Sequence, residues 1–92
     1  MILSFLDPDA AALFAGERVR RLVHVAAVAE RKLQQLDSAA TLDALRVPPG
    51  NRLEALKGDR KGQYSIRIND QFRLCFVWTP DGVQDVEIVN YH

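Results

Sequence analysis

Lys57, Arg67, Arg73, Tyr91 and His92, with Glu54 and Asn90 nearby in the sequence, are the residues of this chain whose types could do chemistry. Together they suit cleavage of an RNA backbone. Attack by a 2′-hydroxyl on the adjacent phosphate needs a base for that hydroxyl and an acid for the departing 5′-oxygen. It also needs positive charge where the phosphorane becomes negative. Arg73 and Lys57 can supply that charge. His92 is the natural proton donor or acceptor near neutral pH. Tyr91 can stack on a base or donate a hydrogen bond. There is no Cys/His cluster, no phosphate-loop glycine pattern and no elbow serine, so neither a metal nor a cofactor is expected. His24, between Val23 and Val25, reads as a surface or packing residue.

A small antiparallel sheet must position these groups. Tyr64, Ile66 and Ile68 alternate with Ser65, Arg67 and Asn69; Phe72, Leu74, Phe76 and Trp78 alternate with Arg73, Cys75 and Val77; Val86 and Ile88 alternate with Glu87 and Val89. Each run buries one face and shows the other. Ahead of the sheet, Ile2 to Phe5 reads as an edge strand. Asp7 reads as an N-cap with Pro8 at the first helical position, and Gly16 ends that helix. Leu22, Ala26, Ala29, Leu33 and Leu36 make one stripe of a longer helix. Thr41 to Leu45 reads as one short helical turn, and Pro48-Pro49-Gly50 as an extended break before a sheet that begins near Arg52. The expected fold is two-layer α+β, with two N-terminal helices covering one face of the sheet.

Directly opposed residues share a face, which sets the register. A two-residue loop at Asn69-Asp70 would place Ile66 opposite Arg73 and mix the faces. One more residue, or a bulge, pairs Ile66 with Leu74 and Arg67 with Arg73. The same test at Pro80-Asp81-Gly82 favours a three-residue loop with Gly82 left-handed. It pairs Leu74 with Ile88, Arg73 with Val89 and Gln71 with Tyr91. Arg67, Arg73 and Tyr91 then share one exposed face. Two adjacent arginines repel, so each needs a carboxylate such as Glu54 or Glu87, or else the pair awaits an external anion such as phosphate, which arginine binds bidentately.

Ninety-two residues make one domain, 1–92, too small for a deep enclosed active site. The lone Cys75 lies in an apolar run and reads as a core or sheet-face thiol. The start, Met1 to Leu6, lacks the basic residues of a signal peptide, and no stretch approaches membrane-spanning length. A cytoplasmic protein with no membrane partner is expected. The net charge of zero disfavours a generic nucleic-acid binder, yet the charge is segregated. Six basic and three acidic residues lie from Arg52 to Arg73, five basic and one acidic from Arg18 to Lys32, and Asp81 to Glu87 is purely acidic in its charges. Arg52, Arg60, Lys61 and Arg67 are the candidate RNA-contacting cations. The basic helix reads as a solvated outer face.

The stretches Arg52-Leu53-Glu54-x-Leu56-Lys57-Gly58-Asp59-Arg60, Ser65-Ile66-Arg67-Ile68-Asn69 and Arg73-Leu74-Cys75-Phe76, with the closing Tyr91-His92, resemble the HigB-like toxins of the RelE/ParE superfamily. The resemblance covers nearly the whole chain and is dense from about Ala29 onward. It implies a RelE-like fold and a ribosome-dependent endoribonuclease that cuts mRNA in the decoding site. It further implies Lys57, Arg73, Tyr91 and His92 as the catalytic set. The implied partner is an adjacent-gene, HigA-like antitoxin with a helix-turn-helix domain, alongside the bacterial ribosome and mRNA. Glu54, a possible base, falls at a variable family position that is His in some members. The family usually closes with Asp-Tyr-His, whereas this chain has Asn90. That departure leaves both an active and an attenuated enzyme open, as well as a non-catalytic binding module: a ParE-like gyrase inhibitor or an antitoxin-binding relic.

Overall fold

A computed structural model describes residues 1–90, which exclude Tyr91 and His92. Helix α1 spans Pro8–Phe14 and α2 spans Ala26–Ser38. Strands β1 (Glu54–Ala55), β2 (Tyr64–Arg67), β3 (Phe72–Thr79) and β4 (Gly82–Asn90) form an antiparallel sheet in the order β1-β2-β3-β4.

The N-terminal signals operate as written. Asp7 accepts the Asp9 amide at 2.9 Å, satisfying one of the free N–H groups of α1, and Pro8 occupies the first turn. Helix α2 starts later than the apolar stripe suggests. Leu22 is buried but sits in a separate 3₁₀ turn, Arg20–Leu22. Val23 and Val25 are β-branched residues that disfavour helix, and the chain leaves helical geometry at Val25 (φ −124°, ψ 6°). Ala29, Leu33 and Leu36 then face the sheet and are fully buried beside Ile66, Leu74, Phe76, Val83 and Val86. Burying each of these leucine, isoleucine, valine and phenylalanine side chains stabilises by about 1.5–3 kcal/mol. The short turn falls at Asp43–Arg46. The expected extended break is overturned: Pro48 is extended, but Pro49–Asn51 coil into a 3₁₀ turn in which Asn51 donates to the Pro48 carbonyl at 2.9 Å.

Ile66 opposes Leu74, Arg67 opposes Arg73, Leu74 opposes Ile88 and Arg73 opposes Val89. The register is the expected one, but the extra residue of the second hairpin is elsewhere. Thr79 pairs with Gly82, so the loop holds only Pro80 and Asp81. The slip occurs instead as a bulge in β4, where Asp85 and Val86 together face Phe76 between the Cys75–Glu87 and Val77–Gln84 pairs, and Asp85 takes φ 54°. The bulge lets Val83 and Val86, three residues apart, both point into the core. Gly82 keeps a positive φ of 150° and is needed for a second reason. A Cβ there would lie 2.7 Å from the Met1 carbonyl oxygen and 2.8 Å from Leu3 Cγ.

The N-terminal segment borders β4 on the sheet edge, reduced from the expected strand to two parallel bridges, Ile2–Val83 and Phe5–Val86. The Asp85 bulge falls between the two contact points on β4, and its amide donates to Ser4 Oγ at 2.9 Å.

Candidate active site

The face of the sheet turned away from the helices carries the candidate groups. Glu54, Ser65, Cys75 and Glu87 lie directly opposite one another across the four strands. Arg67, Arg73 and Val89 form the neighbouring row. Sequence alternation assigns this face correctly, but Arg73 is not exposed on it. Its side chain is 11% accessible. Nε donates to Ser65 Oγ at 2.8 Å, Nη2 donates to the Arg52 carbonyl at 2.8 Å, and Glu54 Oε1 stands 3.2 Å from Nη2. The turn at Arg52 and the start of β1 thus close over the guanidinium, which alternation along β3 alone does not reveal.

The repulsion between the opposed arginines is answered locally. Arg73 pairs with Glu54, as one expectation had it, and Arg67 pairs with Asp70 across its own hairpin turn. Glu87 serves a different cation: Arg60 Nη1 lies 2.9 Å from its Oε1 and donates to Gln63 Oε1 at 3.1 Å. Of the candidate RNA-contacting cations, Arg52 and Lys61 are exposed, while Arg60 and Arg67 are half-buried. Lys57 is exposed just after β1. Glu54 is about half exposed, with its carboxylate at the rim of the site.

Asn90 is exposed and opposes Phe72. Phe72 is buried on the helix-covered face, so the Asn90 side chain leaves β4 on the side away from Arg73. The expectations for Tyr91, its pairing with Gln71 and its shared face with Arg73 lie outside the described residues, as do those for His92. His24 is exposed and its ring lies 6.0 Å from that of Phe72, a surface and packing residue as expected. Among the described residues no group of three or more His, Cys, Asp or Glu side chains could hold a metal.

Two polar residues escape sequence reasoning. Ser65 is fully buried and anchors Arg73; its only signal is a small hydroxyl on the arginine-bearing face of β2, between Tyr64 and Ile66. Asn51 is fully buried beneath the Pro49–Asn51 turn. It accepts a hydrogen bond from Lys32 of α2 and donates to Gln35 Oε1 at 3.1 Å and to the Leu45 carbonyl at 3.0 Å. Nothing in the sequence around Asn51 marks this role. Burial draws the Lys32 ammonium below its ordinary pKa, and the positive charges of Arg31 and Arg67 add to the effect. Burial likewise pushes the Cys75 thiol up, against the pull of Arg60 and Arg73. Cys75 therefore lies within the charged face as a neutral, buried thiol.

Two helices laid on one face of a four-stranded antiparallel sheet define the fold of the RelE/YoeB-like toxins. The chain is similar over its whole length to the YoeB-YefM complex from Staphylococcus aureus (TM-score 0.62, 18% identity, 98% of that chain). It is similar over 99% of its length to the YoeB/ParE toxin from Agrobacterium tumefaciens (TM-score 0.52, 19% identity, 98% of that chain). Residues 6–92 match the HigB-like toxin family, the RelE-like toxin of the type II toxin–antitoxin system HigB, and the chain belongs to that family. Toxin HigB-1 of Vibrio cholerae is 42% identical over 85 residues, covering 90% of this chain and 88% of that protein. An uncharacterized Haemophilus influenzae protein is 36% identical over 59 residues, covering 64% of this chain and 58% of its own length. The chain is thus a type II toxin of the RelE/HigB family, a class that acts with an antitoxin partner. No helix among its described residues is long and apolar enough to cross a membrane.

Proposed function

We propose that this toxin is a cytoplasmic, ribosome-dependent endoribonuclease that cleaves mRNA in the decoding site. The observation that carries the reading is the open sheet face on which Arg73 and Arg67 are directly opposed, with the half-exposed Glu54 carboxylate 3.2 Å from Arg73. In the proposed reaction the message's 2′-oxygen attacks the adjacent phosphorus and the P–O5′ bond breaks. The products are a 2′,3′-cyclic phosphate and a free 5′-hydroxyl. Glu54 takes the 2′-hydroxyl proton and His92 gives a proton to the 5′-oxygen. Arg73 and Lys57 stabilise the phosphorane charge, and Tyr91 stacks on a base. Arg52, Arg60, Lys61 and Arg67 engage RNA phosphates. The ribosome supplies the orientation of the message that so shallow a face cannot impose. A HigA-like helix-turn-helix antitoxin, encoded beside the toxin, neutralises it. The test is to map message ends on translating ribosomes and on free RNA.

The bonding of Arg73 favours a second reading, a binding module without catalysis. Arg73 already holds a carboxylate and three neutral acceptors, Ser65 Oγ, the Ser65 carbonyl and the Arg52 carbonyl, and Asn90 replaces the Asp that the family resemblance leads one to expect. On that reading, growth arrest by the toxin leaves messages on the ribosome intact.

A further inference from the structure

Arg52 adopts φ 46°, ψ 56°, the left-handed region that a residue with a Cβ enters at a cost. Its carbonyl is thereby turned toward β3 and accepts from Arg73 Nη2 at 2.8 Å. The residue before it is Asn51, fully buried and joined to four separate groups. Lys32 donates to its Oδ1. Its Nδ2 donates to Gln35 Oε1 (3.1 Å), the Leu45 carbonyl (3.0 Å) and, longer, the Val47 carbonyl (3.4 Å). The backbone turn itself contributes two bonds, Asn51 N–H to the Pro48 carbonyl at 2.9 Å and Arg52 N–H to the Pro49 carbonyl at 3.1 Å. Strained backbone persists only where its surroundings over-determine it, and Asn51 is the side chain that ties this turn to α2 and to the Asp43–Arg46 turn.

We infer that Asn51 is a positioning residue for Arg73: its buried side chain holds the left-handed Arg52 peptide whose carbonyl fixes the guanidinium on the reactive face. The inference rests on the proposed function for its catalytic consequence, but its structural half stands independently. Without Asn51 the turn loses its link to α2, the Arg52 carbonyl moves, and the Arg73 fork keeps Ser65 but loses its second anchor. A misplacement on the order of 1 Å in a group that stabilises a transition state costs about 100-fold in rate. Arg52 shares the displaced turn and its phosphate contact weakens with it, whereas Arg60, Lys61 and Arg67 lie outside the turn and keep theirs.

The test uses the full chain and two substitutions, Asn51→Ala and Asn51→Asp. The second keeps the volume and the acceptor for Lys32 while removing both N–H donors, and it carries the test if Asn51→Ala does not fold. Two quantities are read. One is the ¹H–¹⁵N signal and solvent exchange of Arg73 Nη2–H, the group that donates to the Arg52 carbonyl, identified by its disappearance in Arg73→Lys. The other is the split between kcat and half-saturating ribosome concentration in message cleavage. Expected are a shifted, faster-exchanging Arg73 Nη2–H and a kcat lowered about 100-fold, with half-saturation raised far less than kcat falls. An unaltered Arg73 signal in a folded variant overturns the inference, as does a loss confined to half-saturation. Should the unsubstituted chain cleave nothing on ribosomes, the functional reading fails, and the Arg73 signal still decides whether Asn51 positions it.

Discussion

Arg73 Nη2 and Glu54 Oε1 stand 3.2 Å apart although they belong to β3 and β1, strands that are not neighbours. The arginine reaches across β2, resting its Nε on Ser65 on the way. The two residues that differ most in proposed role, anion binder and base, are therefore linked through the strand between them.

Glu54→Gln separates the base role from the ion pair. Glu54 is about half exposed, and ion pairs screened by solvent contribute about 0–1 kcal/mol. Stability should change by less than about 1 kcal/mol. Removing a general base costs about 100- to 10,000-fold, so cleavage should collapse while thermal unfolding scarcely moves. Retained cleavage would leave Glu54 as a partner of Arg73 and nothing more.

Arg73→Ala should damage both stability and activity. The substitution leaves the buried Ser65 hydroxyl and the Arg52 carbonyl without their donor, at a cost of about 1–3 kcal/mol. For a chain of this size that corresponds to a melting temperature lower by about 4–8 °C per kcal/mol. Arg73→Lys keeps the charge but not the fork, and should recover part of the stability and little of the cleavage. Calorimetry and cleavage assays on the two variants together distinguish anchoring from chemistry.

The alternation of Tyr64–Ile68, Phe72–Trp78 and Val86–Ile88 makes the register and the two faces legible in the sequence, because a one-residue slip would bury Arg73 among the helices. The position of the extra residue in the β3–β4 hairpin is not legible. A longer loop at Gly82 and a bulge at Asp85 yield the same pairing of Leu74 with Ile88, and the N-terminal segment that packs against Gly82 comes from the other end of the chain. Burial of Arg73 was hidden for a related reason. Alternation says which face a side chain takes, not that a turn some twenty residues earlier will fold over it. Asn51 was invisible because its four partners come from α2 and from the Asp43–Arg46 turn with Val47 just after it.

Cys75 offers a pH test of the charged face. Its thiol pKa is raised in the folded state, chiefly by burial, so the native protein holds this proton more tightly than the unfolded chain. The associated stability is fully present below the unfolded thiol pKa of about 8.5. It is lost as pH rises through the higher folded value. Melting temperature should fall more steeply above about pH 8.5 in the unsubstituted protein than in Cys75→Ala. Thiol reagents at neutral pH should label Cys75 only after unfolding. Rapid labelling of the native protein would contradict its burial.

Asn90→Asp should raise activity without altering the fold. Asn90 lies on the side of β4 away from Arg73, so a carboxylate there would not meet the Arg73 guanidinium; the expected gain rests on the general ability of a carboxylate to favour the productive tautomer and cationic form of a histidine such as His92. An increase of about tenfold corresponds to about 1.4 kcal/mol at the transition state. Equal cleavage by the two chains at matched expression without antitoxin would show that this position needs no charge.

The central claim is ribosome-dependent cleavage, and primer extension on a translated message after induction tests it most directly. The chain should produce discrete new 5′ ends within the translated region, His92→Ala should abolish them, and the same message incubated with purified protein without ribosomes should stay largely intact. Intact messages in cells arrested by the toxin would contradict the account and favour the binding module, and equally rapid cutting of free RNA would remove the ribosome from the mechanism.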